Sequence, residues 1–196
     1  AWTVPAANGM NCQVRVTPTG SPGLAAKSAG SFTMMVVQED FETGNFSNWP
    51  WRSTWWYPWS VTAATPYHGT KCVQHADVGA NSSLTLKVEV KQAGFVGFFY
   101  RKTTSDNYLR FKIDGVEAYA TSTSHPWTAV VVPITVGVHT LEWMDNDTIS
   151  DTGTIYVDAI HFPADTGIVV CEPNGTDPFG TGNAQAWLVG DTNQIT

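Results

Sequence analysis

Along residues 61–63, 71–74, 83–90, 94–101, 108–113, 127–132, 139–144 and 154–160, apolar and polar side chains alternate or cluster as Val, Ile, Thr, Phe, Tyr and Trp. Gly, Pro, Asn, Asp or Ser closes each run. A period of two places alternate side chains on opposite faces, so each run reads as a β-strand with one face against a core. Ile113-Asp114-Gly115-Val116 is an Asp-Gly hairpin turn, its glycine free to take positive φ. The pattern predicts about nine strands at regular spacing and therefore a β-sandwich.

The body begins at Gln38-Glu39-Asp40-Phe41-Glu42-Thr43-Gly44-Asn45-Phe46-Ser47, read as a first strand that turns into a Trp-crowded loop. On its N-terminal side, residues 12–17 and 31–37 predict two more strands around a turn-rich segment at 18–30. Two strands are not stable alone in water and need a partner sheet. Three segments follow: 1–37, 38–164 and 165–196. The class is all-β and antiparallel.

Composition narrows the function. Only 14% of the 196 residues are charged and the formal net charge is −7, with no Lys/Arg cluster. Nucleic acid and anionic membranes both select a positive surface, so neither is an expected partner. No run of eighteen apolar residues occurs and no charged and apolar leader opens the chain, so membrane insertion is not expected and the sequence reads as mature or excised. Sparse charge with abundant Thr, Asn, Gly and Trp points to an extracellular or cell-surface protein. The three cysteines, at 12, 72 and 171, have no metal-binding spacing, and in an oxidising compartment two can pair.

The order of landmarks adds a resemblance. Asp40-Phe41-Glu42-Thr43-Gly44, Trp59-Ser60-Val61, His68-Gly69-Thr70, Ser82-Ser83-Leu84, Phe98-Phe99-Tyr100, Leu109 to Gly115, Trp127, Val136 to Trp143 and Tyr156-Val157-Asp158-Ala159-Ile160 resemble, in this order, a jelly-roll module of large secreted bacterial and archaeal proteins. That module is related in shape to MAM domains and to jelly-roll carbohydrate-binding modules. Where the family usually has Ser-Ser-Glu and Lys-Asp, this chain reads Thr103-Thr104-Ser105 and Asn146-Asp147. The flanks resemble parts of Ig-like or fibronectin-III-like repeats. Trp2-Thr3-Val4-Pro5, Cys12-Gln13-Val14-Arg15-Val16 and Ser31-Phe32-Thr33-Met34 look like a closing half, and residues 168–175 with 186–196 like an opening half. The resemblance implies a jelly roll whose flanks supply strands of a second Ig-like β unit, paired within the chain or with a neighbour's flank.

Glu42 and Asp158 are the candidate metal ligands. In a jelly roll the first and last strands are neighbours, so two carboxylates far apart in sequence can converge, and like charges that close need a cation. Similar modules hold structural Ca²⁺ there, and hard oxygen donors suit it. The alternative is that Glu42 caps a turn and Asp158 accepts backbone amides; Glu39 and Asp40 are auxiliary candidates. A second acidic cluster, Asp145-Asn146-Asp147 with Asp151, reads as a solvated hairpin loop.

Among the tryptophans, Trp51 and Trp59 are expected in the core. Trp55, Trp56 and Tyr57 are consecutive and cannot all point inward, so they form a candidate subunit contact or glycan-stacking surface. Cys12 and Cys171 are a disulfide candidate, and Cys72 reads as a buried small side chain. No nucleophile-and-base set or usefully spaced carboxylate pair is present, and an enzyme is not expected. The expected function is an extracellular, non-enzymatic structural or adhesive module: a repeat or subunit of a filament, sheath or adhesin, self-associating by strand pairing. The alternative is a carbohydrate-binding module attached to a larger secreted protein, with glycans as partners.

Overall fold

The computed structural model describes residues 9–20, 23, 25–30, 32–34, 37–76, 81–105, 108–146 and 153–168, with 9–12, 32–34 and 168 described in backbone alone. The chain divides into two compact units at residues 36 and 37.

In the first unit, β1 (Gly9–Cys12) pairs with β4 (Phe32–Met34), and β2 (Arg15–Val16) pairs with β3 (Ala26–Lys27), all antiparallel. The segment at 18–30, read from sequence as turn, contributes β3. Ser28 donates its N–H to the Val14 carbonyl at 2.9 Å and so extends that pairing. These strands thus pair with one another inside the segment. Of the C-terminal flank, residues 169–196 lie outside the described residues.

The second unit is an antiparallel jelly-roll sandwich, and no described residue is helical. Its strands are β5 (Arg52–Ser53), β6 (Ser60–Thr62), β7 (Cys72–Ala76), β8 (Ser82–Val90), β9 (Gly94–Lys102), β10 (Tyr108–Ile113), β11 (Val116–Thr121), β12 (His125–Ile134), β13 (Gly137–Asn146), β14 (Thr154–His161) and β15 (Gly167–Ile168). One sheet runs β11-β10-β13-β8-β15, with β5 also on β8; the other runs β12-β9-β14-β7-β6. β15 lies past the boundary drawn at 164 from sequence, so the sandwich reaches residue 168. Asp114 (φ 53) and Gly115 (φ 78) make the predicted β10–β11 turn.

Alternation builds the core. Leu84, Leu86, Val88 and Val90 of β8 face Val96, Phe98 and Tyr100 of β9, all at most 1% exposed. Trp143 lies 5.5 Å from Phe98, 4.7 Å from Phe111 and 5.5 Å from Trp51, centroid to centroid. Trp51 and Trp59 are buried as expected. Burial of each such side chain contributes roughly 1.5–3 kcal/mol or more.

The stretch at 38–47 is not a continuous strand. It makes one bridge, Glu39 to Ile160. The Gln38 side chain then acts like a peptide group: it donates to the Phe162 carbonyl at 3.1 Å and accepts the Phe162 N–H at 2.6 Å. Phe41 ends the ladder because it adopts φ 58, a left-handed conformation costly for a bulky side chain. Glu39 supports it, accepting the Phe41 N–H at 2.8 Å and the Trp51 indole N–H at 3.0 Å. With that turn the Phe41 ring packs 6.1 Å from Phe46 and 5.7 Å from Trp51.

Candidate functional site

Glu42 and Asp158 converge on one loop, residues 65–71. Asp158 Oδ2 accepts the N–H of Tyr67 at 2.8 Å and of His68 at 2.9 Å, and Oδ1 accepts the N–H of Ala159 at 2.6 Å. Glu42 Oε1 accepts the N–H of Thr70 at 2.6 Å and of Lys71 at 2.7 Å, and Oε2 takes the Thr70 hydroxyl at 2.8 Å. The left-handed Ala159 (φ 51), at the irregularity of β14, gives Asp158 its adjacent amide. Gly69 (φ +64) lies directly against the Glu42 carboxylate, where a Cβ would overlap Oε1. Burial pushes the Asp158 pKa up from 3.8 to about 6, against the amide hydrogen bonds that favour its charge. The Thr70 N–H and hydroxyl hold Glu42 below its ordinary value.

Amide dipoles thus occupy both carboxylates in the manner of the turn-cap alternative. As donors for Ca²⁺ Asp40, Glu42 and Asp158 are right in kind, since carboxylates carry only hard oxygens, whereas the Glu39 carboxylate turns to the buried Trp51 indole. The corner is short in number: no three His, Cys, Asp or Glu side chains among the described residues come together at one metal position. Main-chain carbonyls or water would have to complete a shell.

The loop that these carboxylates hold covers part of the outer face of the five-stranded sheet. On β9, Phe99 and Arg101 point away from the core while Phe98, Tyr100 and Lys102 point in. The Tyr67 ring stacks on Phe99 at 3.7 Å and 15°. Trp127 lies 5.7 Å from Tyr67 and 6.4 Å from Tyr156, and its indole N–H donates to the Thr65 carbonyl at 3.1 Å. The Arg101 guanidinium lies over the Tyr156 ring at 5.9 Å, a cation–π distance. Gln74 is opposite Tyr156 in register and Ser60 is opposite Gln74. The face therefore carries an aromatic row with amide, hydroxyl and guanidinium groups beside it. It runs into a cleft of about 440 Å³ lined by Arg101, Lys102, Thr103, Ser124, His125, Pro126 and Trp127.

Sequence reading missed this surface. Trp127, Tyr156 and Arg101 count there only as strand residues, and Tyr67 lies in a Pro/Gly-bounded loop. The available signal was parity: Phe99 and Arg101 alternate with the core-facing Phe98 and Tyr100, so an aromatic had to stand on the outer face.

The Trp55-Trp56-Tyr57 loop is a second aromatic surface, with exposures of 64%, 78% and 41%. It is pinned from below: Ser82 Oγ donates to the Tyr57 carbonyl at 2.5 Å, Thr54 N–H to the Ser83 carbonyl at 3.0 Å, and Trp59 N–H to Ser53 Oγ at 2.8 Å.

Asp145 corrects the acidic-loop reading. It lies on β13, fully buried, with Oδ2 at 2.9 Å from His75 Nδ1 of β7, and this pair links the two sheets. Residues 147–152 lie outside the described residues. His139 pairs with Asp114 at 2.7 Å, and His68 lies 3.6 Å from Asp40. Cys72 is buried, with its thiol at 3.3 Å from the Ala64 carbonyl and its pKa pushed by burial to about 12. For the Cys12–Cys171 candidate, the Cys12 side chain and all of Cys171 lie outside the described residues.

No protein-family model matches the chain. No curated protein matches it either. Solved structures do. The K3 cleaved adhesin domain of Lys-gingipain from Porphyromonas gingivalis W83 is similar with a TM-score of 0.52 and 13% identity, covering 65% of this chain and 96% of that one. The K2 cleaved adhesin domain of Lys-gingipain gives 0.51 and 15%, covering 63% and 95%. TmCBM61, solved with β-1,4-galactotriose, gives 0.49 and 17%, covering 69% and 98%. At these identities the adhesin domains establish a shared β-sandwich fold and nothing about ligands.

Proposed function

We propose that residues 37–168 form a non-catalytic carbohydrate-binding module of an extracellular protein, and that it binds glycan on the outer face of the five-stranded sheet. The row Tyr67, Trp127 and Tyr156, flanked by Gln74 and Arg101, carries this reading. Flat apolar rings match the C–H faces of sugars, and nearby amide, hydroxyl and guanidinium groups match their oxygens. Binding assays on a panel of neutral and acidic polysaccharides test the reading, with Trp127→Ala and Tyr156→Ala as variants that lose binding.

Self-association is a second reading for a different surface. Trp55 and Trp56 form a contiguous, pinned apolar patch, and exposed patches of this kind mark contacts. We assign the patch to a contact between copies or with a neighbouring repeat. Structural Ca²⁺ at Glu42 and Asp158 is a third element of the proposal. Its support is an excess of carboxylates: among the described residues no Lys or Arg forms an ion pair with Glu39, Asp40, Glu42 or Asp158. A bound cation there would supply positive charge to a corner whose side chains anchor the loop bearing Tyr67.

A further inference from the structure

We infer that the glycan bound on the outer sheet face is anionic, carrying a carboxylate or a sulfate that docks on Arg101. The inference rests on the reading of that face as a glycan site and adds the charge of the ligand.

Arg101, like Arg15, Lys27, Lys71, Lys87 and Lys91, makes no ion pair among the described residues, and it is set apart by lying over an aromatic ring at the mouth of the cleft. Arg110 pairs with Glu117 at 3.0 Å, and Lys112 pairs with Glu142 at 3.3 Å. Among the described residues no carboxylate lies within ion-pair distance of Arg101, although acidic residues outnumber basic ones by 17 to 10. The guanidinium carbon stands 5.9 Å from the Tyr156 ring centroid, and an aromatic ring does not neutralise the charge.

Among the described residues that line the cleft beside it there is no Asp or Glu. Ser124 and His125 offer hydrogen-bonding groups and Trp127 offers a ring, while the Thr103 hydroxyl accepts the Thr154 N–H at 2.8 Å. Lys102 turns inward, its ammonium at 2.5 Å from the Thr104 carbonyl and 3.3 Å from that of Ser122, which leaves the guanidinium as the cation presented to a ligand. Asp158 shares the outer face of the sheet with Arg101, but it is fully buried and its oxygens accept three N–H groups, so it does not compete for Arg101.

A planar guanidinium matches the two oxygens of a carboxylate or sulfate and forms paired, charge-assisted hydrogen bonds. A neutral sugar in the same place would leave that cation unmatched. The cleft volume of about 440 Å³ suits a sugar-sized group.

The test uses the full chain with three polymers, a uronate-bearing polysaccharide, a sulfated polysaccharide and a neutral galactan, at low and high salt. Wild type and the variants Arg101→Gln and Arg101→Lys are compared, with thermal melts as a folding control. The expected result is binding to a charged polymer on the order of tenfold tighter than to the neutral one, lost in Arg101→Gln, partly kept in Arg101→Lys and weakened by salt. Preference for the uronate polymer identifies the carboxylate as the docking group, and preference for the sulfated polymer identifies the sulfate. Equal binding to neutral and charged polymers, unchanged in Arg101→Gln, overturns the inference and leaves glycan binding standing. No binding to any of the three overturns both.

Discussion

Glu42 and Asp158, 116 residues apart in the chain, hold the same loop by its backbone amides: Asp158 takes Tyr67 and His68, and Glu42 takes Thr70 and Lys71. Tyr67 then lies flat on Phe99, at the edge of the aromatic row. Anchoring and the proposed binding surface are thereby linked. Glu42→Gln replaces one accepting oxygen with a donor that faces N–H groups, and it should lower glycan affinity more than it lowers thermal stability. Gly69→Ala places a Cβ against the same carboxylate at positive φ, a cost of about 1–3 kcal/mol. Melting curves and titrations on both variants check this, and unchanged affinity in both would separate the loop from the site.

Acid sensitivity should localise in part to the β10–β11 turn. Burial acts to raise the Asp114 pKa, but hydrogen bonds from His139 and from the Thr140 N–H prevail and hold it below 3.8. Because the folded-state value is depressed, this group's stabilisation is present above the unfolded pKa and is lost as pH falls through the folded one. Asparagine fits the same left-handed turn position, so Asp114→Asn should keep the hairpin. The variant should melt lower than wild type at neutral pH, and the two should converge as pH falls through the depressed folded-state value of Asp114.

Ca²⁺ at Glu42 and Asp158 predicts a melting temperature that falls on chelation and returns with added Ca²⁺. A ligand at a hundred times its Kd adds about 2.7 kcal/mol of stability. A melt indifferent to chelator, or one whose response is the same in Glu42→Gln, would remove the cation and leave the amide hydrogen bonds as the whole of the anchor.

Trp55→Ala with Trp56→Ala should leave the melting temperature nearly unchanged, since both rings are mostly exposed. If the patch is a contact between copies, sedimentation shows association in wild type and a monomer in the double variant. Wild type that stays monomeric at high concentration would exclude that contact.

Much of the sandwich was legible because β8, β9 and β13 alternate cleanly and Asp114-Gly115 specifies its own turn. The start of the body was not. Glu39 and Gln38 replace ladder hydrogen bonds with side-chain ones around a left-handed Phe41, and no periodicity announces that. Glu42 and Asp158 were singled out by charge and sandwich topology. Their partners are backbone amides, which have no signature in side-chain type. The proposed binding face was hidden for a different reason: Tyr67, Trp127 and Tyr156 come from a loop and two strands distant in sequence, and the fold alone brings them side by side.

The central claim is tested most directly by quantitative affinity electrophoresis of wild type, Trp127→Ala and Tyr156→Ala through gels carrying neutral and acidic polysaccharides. The account predicts that wild type is retarded by at least one polymer and that each variant, folded as judged by its melt, loses on the order of tenfold in affinity. Retardation undiminished in both variants, or no retardation of wild type by any polymer, would contradict it.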